Sequence, residues 1–103
     1  DIWLQFEKSQ CSYNFTESSP DNLRKLFEIY QCEANTLIEK KLTYPALDFV
    51  LKCSHTFNLL DARGVISVTD RAQYIEKIRK LAREVATSWI DERESLNFPL
   101  VKN

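Results

Sequence analysis

Apolar side chains recur every three or four residues along most of this 103-residue chain, which is the spacing of one face of an α-helix. The pattern predicts helices at about 20–41, 44–63 and 68–94. We therefore expect an all-α fold, a three-helix bundle around one core. The three apolar stripes are Leu23, Leu26, Phe27, Tyr30, Ala34, Leu37 and Ile38; Ala46, Phe49, Val50, Cys53, Phe57 and Leu60; and Ile75, Ile78, Ala82, Val85, Ala86 and Trp89, with Tyr74 and Leu81 beside the last.

Capping residues support these boundaries. Ser19 precedes Pro20, a pair typical of a helix start, because the serine oxygen accepts a backbone N–H and proline fits the first turn. Thr43 is expected to cap the second helix and Ser67 the third. Gly64 is expected to end the second helix in the left-handed conformation.

The residues before the first helix have no clean period. Two aromatic clusters lie there, at 2–6 and 13–15. We expect residues 1–18 to form an irregular, aromatic lead-in and residues 19–103 to form the helical domain. The segment 96–100, which contains Pro99, is expected to stop the third helix after Glu94.

The second helix has two apolar sides. Beside its main stripe lies a second, partly apolar flank. Such a helix is typically central, in contact with both neighbours or with something outside the chain. The flank consists of Leu47, Leu51, Ser54, Asn58 and Ala62.

Composition excludes several classes of function. Fourteen Lys and Arg balance fifteen Asp and Glu, so the whole chain lacks the basic footprint of a nucleic-acid-binding protein. A single glycine excludes a glycine-rich phosphate loop. No apolar run is long enough to span a bilayer, and we expect a soluble cytoplasmic protein with no membrane contact.

Cysteine and histidine give no catalytic or metal site. Three cysteines without C-x-x-C spacing and one histidine indicate free thiols rather than a zinc site or a disulfide framework. Cys53 and His55 are two positions apart, so on a helix their side chains diverge by about 200° and cannot form a nucleophile–base pair. No catalytic, cofactor-binding or metal-binding residue is assigned.

A polar network is expected where the second helix ends. Arg71 falls on the core stripe of the third helix, and a buried guanidinium needs a partner because an unpaired buried charge is costly. Asp61 is the expected partner, with Asn58 and Ser54 completing the hydrogen bonds. Arg63 belongs to the same network, which we interpret as structural.

Three further residues are candidates for contact with a partner. His55 shares the outer face of the second helix with Asp48 and Lys52, so it lies on the surface or in an interface. Lys80 and Arg83 belong to a basic but mixed face of the third helix. That face is typical of a solvated surface stabilised by pairs such as Glu76–Lys80, and contact with RNA is the alternative.

These residues carry a resemblance to a known family. The runs 44–48, 53–64 and 66–69, with Arg71 and Tyr74, resemble the C-terminal region of the alpha subunit of bacterial-type heterotetrameric glycyl-tRNA synthetase. The resemblance extends over nearly the whole chain, from the aromatic lead-in to the segment 94–99. Val65 and Asp70 stand where alanine and glutamate are common, and both departures are mild.

The resemblance implies a class II ligase that uses ATP and magnesium to charge tRNA(Gly) with glycine. It also implies that the catalytic core lies upstream of Asp1, so the chain alone is expected to be inactive and to bind no cofactor. The implied partners are that core, the beta subunit of an alpha2 beta2 enzyme and tRNA(Gly), with His55, Lys80 and Arg83 as candidate contacts. The alternatives are a stand-alone helical adaptor and a small RNA-binding module.

Overall fold

The computed structural model describes residues 2–13 and 19–102, and the regular elements in these ranges are four α-helices. Helix α1 is Ile2–Ser12, α2 is Pro20–Glu39, α3 is Thr43–Ala62 and α4 is Val68–Lys102. The predicted all-α class is confirmed. The three predicted bundle helices are present, with boundaries that agree to within two residues except at the end of α4.

The N-terminal segment is a helix, so the prediction of an irregular lead-in is wrong. Ile2–Ser12 contains neither glycine nor proline, so nothing in it breaks a helix. Without a clean apolar stripe, α1 packs on none of the other helices in the described part of the chain. The aromatic residues 14–15 of the predicted lead-in lie outside the described residues.

Helix α4 continues to Lys102, so the predicted stop after Glu94 is also wrong. The residues around that point, Glu92 to Leu96, are mostly strong helix formers that carry the helix forward. Proline removes one backbone N–H, and this loss did not terminate the helix. As a result α4 is much longer than α2 and α3.

Most helix ends follow the predicted capping. The backbone N–H of Asn22 donates to Ser19 Oγ at 3.3 Å, and that of Asp70 donates to Ser67 Oγ at 3.1 Å. Gly64 adopts the expected left-handed conformation, with φ 69°. Lys41 adopts it too, with φ 60°, between α2 and α3.

Thr43 does not cap α3, which corrects the prediction. Leu42 precedes the helix and has no capping side chain, while Thr43 is the first helical residue and is buried. The Thr43 Oγ1 lies 3.1 Å from Ser88 Oγ of α4, within hydrogen-bonding distance. The threonine therefore ties α3 to α4 rather than closing its own helix.

Helix α3 is the central helix of the bundle, as predicted. It packs on both α2 and α4, whereas the contact between α2 and α4 is smaller. Its side chains supply much of the core. One cluster contains Phe27, Ala34, Ala46, Val50, Cys53, Phe57, Leu81 and Val85, and a second contains Leu23, Leu59 and Leu60.

The core face of α4 is turned slightly from the predicted stripe. Leu81 is buried at 2 % exposure, whereas Ala82 and Ala86, which were expected inside, are exposed. Tyr74 packs edge-on against Phe27 of α2, with the ring centroids 4.7 Å apart. The larger side chains therefore fill the space between α2 and α3, and the small alanines face out.

Candidate docking surfaces

The polar end of α3 brings two of the predicted network residues together. Arg71 Nη2 lies 3.4 Å from Asp61 Oδ2. Both side chains are substantially exposed, at 55 % and 42 %, so the expectation that Arg71 is buried is wrong. Arg71 does lie at the angle of the core face, but it belongs to the first turn of α4, beyond the last buried layer.

In the described part of the chain, Asn58 and Ser54 do not join this ion pair as expected. Asn58 is exposed, and within the described residues no hydrogen bond joins it or Ser54 to Arg71. Arg63 is half-buried at the end of α3, next to the Gly64 turn. The arrangement is a surface ion pair beside a helix end.

An unpredicted arginine links α2 to the connector between α3 and α4. The Arg24 Nη2 donates to the carbonyl oxygen of Val65 at 3.1 Å. The two residues are 41 positions apart. No local sequence pattern connects them, so periodicity and capping rules could not have revealed this contact.

Cys53 and His55 point in different directions, as the geometry of a helix requires. Cys53 is fully buried, its Sγ lies 3.9 Å from the carbonyl oxygen of Phe27, and burial raises the pKa of its thiol to about 11. His55 is exposed. A buried thiol that keeps its proton is a core group rather than a nucleophile.

His55 instead lines a shallow groove of about 370 Å³ on the outer side of α2 and α3. Asp48 and Lys52 share this face and form an ion pair at 3.2 Å. Apolar side chains of both helices make up much of the lining, and Tyr13 reaches it from the end of α1. We call the following set the α2–α3 face: Leu26 and Tyr30 from α2, and Leu47, Leu51 and His55 from α3.

The α2–α3 face leaves large apolar side chains in water. Leu51 is 59 % exposed and Leu47 is 42 % exposed, which agrees with the expectation that this flank of the helix contacts something outside the chain. Ile29, one turn along α2 from Leu26, is also exposed. Contiguous exposed apolar groups are typical of surfaces that bind another protein.

Helix α1 presents a second apolar surface. Trp3 and Phe6 are stacked, with centroids 5.9 Å apart and ring planes at 20°, and both side chains are mostly exposed. Ile2 and Leu4 are exposed beside them. Helix α1 packs on no other helix in the described ranges, and both rings remain largely exposed.

The basic face of α4 is partly neutralised by its own carboxylates. Arg83 Nη2 lies 3.1 Å from Glu76 Oε1, two turns away. Glu76 therefore pairs with Arg83, whereas the expected partner was Lys80. The longer arginine side chain spans the two turns. Lys80 has no ion-pair partner in the described part of the chain.

Two further features bear on function. Among the described residues there is no group of three His, Cys, Asp or Glu side chains placed to hold a metal ion. None of the helices in the described ranges is both long and apolar enough to cross a membrane.

Comparison with known families identifies the family of this chain. Residues 1–94 match the family model described as glycyl-tRNA synthetase alpha subunit. The match spans α1, α2, α3 and most of α4, including the whole segment 44–74 that carries the resemblance. The resemblance is thereby confirmed, and the parent enzyme is an aminoacyl-tRNA synthetase, a ligase. The chain belongs to the glycyl-tRNA synthetase alpha subunit family.

Proposed function

We propose that this chain is the helical C-terminal domain of a glycine–tRNA ligase alpha subunit and that it supports charging by packing on the catalytic core. Residues 1–18 would follow that core and residues 19–103 would form the domain. The observation that carries the proposal is the exposure of Trp3, Phe6 and Leu51 in a member of this family.

Docking of these side chains would be favourable. Burying one large apolar side chain gains roughly 1.5–3 kcal/mol, and α1 offers two stacked aromatic rings. The α2–α3 face adds aliphatic groups around His55. A catalytic core with a complementary apolar surface would order α1 and fix the bundle against it.

The domain would act by position rather than by chemistry. We place the ATP- and magnesium-dependent activation of glycine in the catalytic core, upstream of Asp1. The chain alone would then form no glycyl-adenylate.

The charged side of α4 and the part of the α2–α3 face around His55 are the proposed regions for the remaining partners. His55, Lys80 and Arg83 are all exposed and could contact the beta subunit of an alpha2 beta2 enzyme or tRNA(Gly). Arg83 would first have to leave Glu76, an exposed pair whose loss costs little. The enzyme would work in the cytoplasm, where tRNA is charged.

Glycine-dependent ATP–pyrophosphate exchange tests the docking proposal. The 103-residue chain should be inactive, and the complete alpha subunit active. The double substitution Trp3→Ala and Phe6→Ala in the complete enzyme should lower exchange by about tenfold, the effect of roughly 1.4 kcal/mol. The matched control is Val68→Ala, because Val68 is also exposed but lies on neither apolar surface.

Two outcomes would reject this proposal. Unchanged exchange in the double variant would indicate that α1 does not dock on the core and would favour a stand-alone adaptor. Filter binding of tRNA to the chain over a salt series tests the alternative of a small RNA-binding module. Such a module would retain tRNA with a steep salt dependence. Docking of the chain on the catalytic core through apolar contacts should depend little on the salt concentration.

A further inference from the structure

His55 is the only histidine of the chain, and it belongs to the α2–α3 face. Its side chain is exposed and lines the groove of about 370 Å³ beside Leu51 and Leu59. A histidine side chain in water ordinarily gains a proton near pH 6.5, closer to neutrality than other unperturbed side chains. His55 is therefore the side chain of this face whose charge is expected to change near neutral pH.

The other titratable groups that line the groove offer His55 no free carboxylate. Tyr13 reaches the groove from α1, Tyr30 lines it from α2, and Asp48 and Lys52 line it from α3. The carboxylate of Asp48 is paired with Lys52 at 3.2 Å, and Lys52 brings its own positive charge one turn from His55. Within the described residues His55 belongs to no ion pair. A protonated His55 under an apolar cover would thus be a charge without a partner, which is unfavourable.

The groove beside the end of α4 differs in this respect. The contact between Thr43 and Ser88 marks the end of the bundle, because α3 begins there, and we call the part of α4 beyond Ser88 the α4 extension. A groove of about 650 Å³ lies in the corner between this part of the chain and the end of α2. Its charged lining is Lys41, Lys80, Arg83, Glu84, Asp91 and Glu92. Such side chains ordinarily keep their charge near neutral pH, so a pH response is expected at the α2–α3 face and not here.

We propose that His55 makes the packing of the α2–α3 face sensitive to pH: the face is covered while His55 is neutral and is released when His55 gains a proton. This inference rests on the proposed function, in which the catalytic core covers the face, and adds that covering requires an uncharged imidazole. Leu47 and Leu51 are substantially exposed, so the face suits an apolar cover.

The direction of the effect follows from where the proton is held. In water an imidazole takes up a proton as the pH falls below about 6.5, whereas under an apolar cover the neutral form is favoured. Covering the face at low pH must therefore displace that proton, which weakens packing by up to about tenfold for each pH unit below about 6.5. Above about pH 7 the imidazole is already mostly neutral, and packing is at full strength.

An anionic cover over His55 would give the opposite sign. A phosphate of RNA would hold the protonated imidazole through a charge-assisted hydrogen bond. Packing would then strengthen as the pH falls. The sign of the pH dependence therefore distinguishes an apolar cover from RNA.

Glycine-dependent ATP–pyrophosphate exchange by the complete enzyme tests this inference. Exchange is measured at about pH 8 and about pH 5.5 for the parent and for His55→Gln, whose amide is polar but takes up no proton. Between these two values the parent should lose about tenfold more activity than His55→Gln. Comparing the two losses removes the pH dependence of the chemical step, which both proteins share.

Two control variants isolate the charge at position 55. Asn58→Gln changes an exposed side chain of the same helix that does not line the groove, and its loss of activity should match that of the parent. His55→Lys carries a positive charge at both pH values, so its exchange should already be lowered at about pH 8.

Reaction of His55 with diethyl pyrocarbonate separates this inference from the proposed function. The reagent modifies accessible neutral imidazoles, and mass spectrometry of the peptide that contains His55 gives the rate at about pH 7.5. Modification should be much slower in the complete enzyme than in the 103-residue chain, where His55 is exposed. Equal rates would show that the face is not covered and would reject the proposed function together with this inference.

Two results would overturn the inference alone, with His55 protected from the reagent. Equal losses of activity for the parent and His55→Gln would show that protonation of His55 does not control packing. A smaller loss for the parent than for His55→Gln would show that the cover is anionic. In that case, tRNA binding to the chain that strengthens as the pH falls would assign the face to RNA.

Discussion

The bundle formed by α2, α3 and α4 up to Ser88 differs from the rest of the chain in what its apolar residues do. Inside the bundle Phe27, Cys53 and Leu60 are almost completely removed from water. In α1 and in the α4 extension, Trp3, Phe6 and Leu96 are mostly exposed. All of these residues lie in helices, so helix formation alone does not decide which of them are buried.

The difference indicates that separate parts of the chain provide stability and contacts with a partner. The bundle buries its own apolar side chains, since α3 packs on both α2 and α4. The α1 helix and the end of α4 leave apolar groups that another surface must cover if they are to stabilise anything. Stability is therefore expected to reside in the bundle, and assembly in the two extensions.

The largest contrast is expected between two phenylalanines. Phe27→Ala, in the bundle core, should lower the free energy of unfolding by about 3–5 kcal/mol, because it removes a buried ring and leaves a cavity. Phe6→Ala, on α1, should change it by less than about 0.5 kcal/mol. Urea unfolding of both variants measures the contrast, and equal losses would show that α1 is part of the core.

The two thiols should differ almost as much in reactivity. With the pKa of Cys53 raised to about 11, its thiolate fraction near pH 8 is about a hundredfold below that of an ordinary thiol. Cys32 is exposed and should be alkylated by iodoacetamide far faster than Cys53. In a Cys11→Ser background, mass spectrometry of the alkylated peptides gives both rates.

The raised pKa of Cys53 also makes the stability of the fold depend on pH. Because the folded chain holds the Cys53 proton more tightly than the unfolded chain, this group has no effect on stability well below pH 9. It lowers stability as the pH rises from the ordinary thiol pKa of 9.0 towards about 11. Cys53→Ala should flatten that decline. Similar alkylation of both thiols in the native chain would contradict the burial of Cys53.

A smaller effect is expected at the junction between the bundle and the extension. Ser88→Ala leaves the hydroxyl of buried Thr43 without its partner and should cost about 1–2 kcal/mol. Ser95→Ala, two turns further along α4 and exposed, should be nearly neutral. Thermal denaturation of these two variants tests where the bundle ends. Equal stabilities would show that it does not end at Ser88.

The smallest effect concerns Asp61 and Arg71. Since both side chains are substantially exposed, a double-mutant cycle of Asp61→Asn and Arg71→Leu should give a coupling energy below about 0.5 kcal/mol. Chemical denaturation of the parent chain, the two single variants and the double variant measures this coupling energy. A coupling of several kcal/mol would mean that the pair is buried in solution.

The parts of the fold that were predictable depend on local or periodic signals. The bundle helices follow from stripes at three- and four-residue spacing, and Ser19, Ser67 and Gly64 act at helix ends through contacts with their immediate neighbours. Helix α1 was missed because its apolar residues form no clean stripe. A helix can form without one when no core constrains it.

Other features require information that periodicity lacks. The helical period gives the angle of Arg71 around α4 but not whether a neighbouring helix reaches that level, so its exposure could not be deduced. The contact of Arg24 with Val65 joins residues 41 positions apart. Of the candidate contact residues, the exposure of His55 follows from its position opposite the core stripe, whereas the pairing of Arg83 with Glu76 depends on which side chain reaches the carboxylate.

Amide hydrogen exchange tests the central claim most directly, namely that the bundle is self-sufficient and that α1 is a docking element. Exchange is compared between the 103-residue chain and the same residues in the complete alpha subunit. The account predicts that α1 amides exchange rapidly in the chain alone and become protected in the complete subunit, while α3 is protected in both. Equal protection of α1 in the two samples would contradict it.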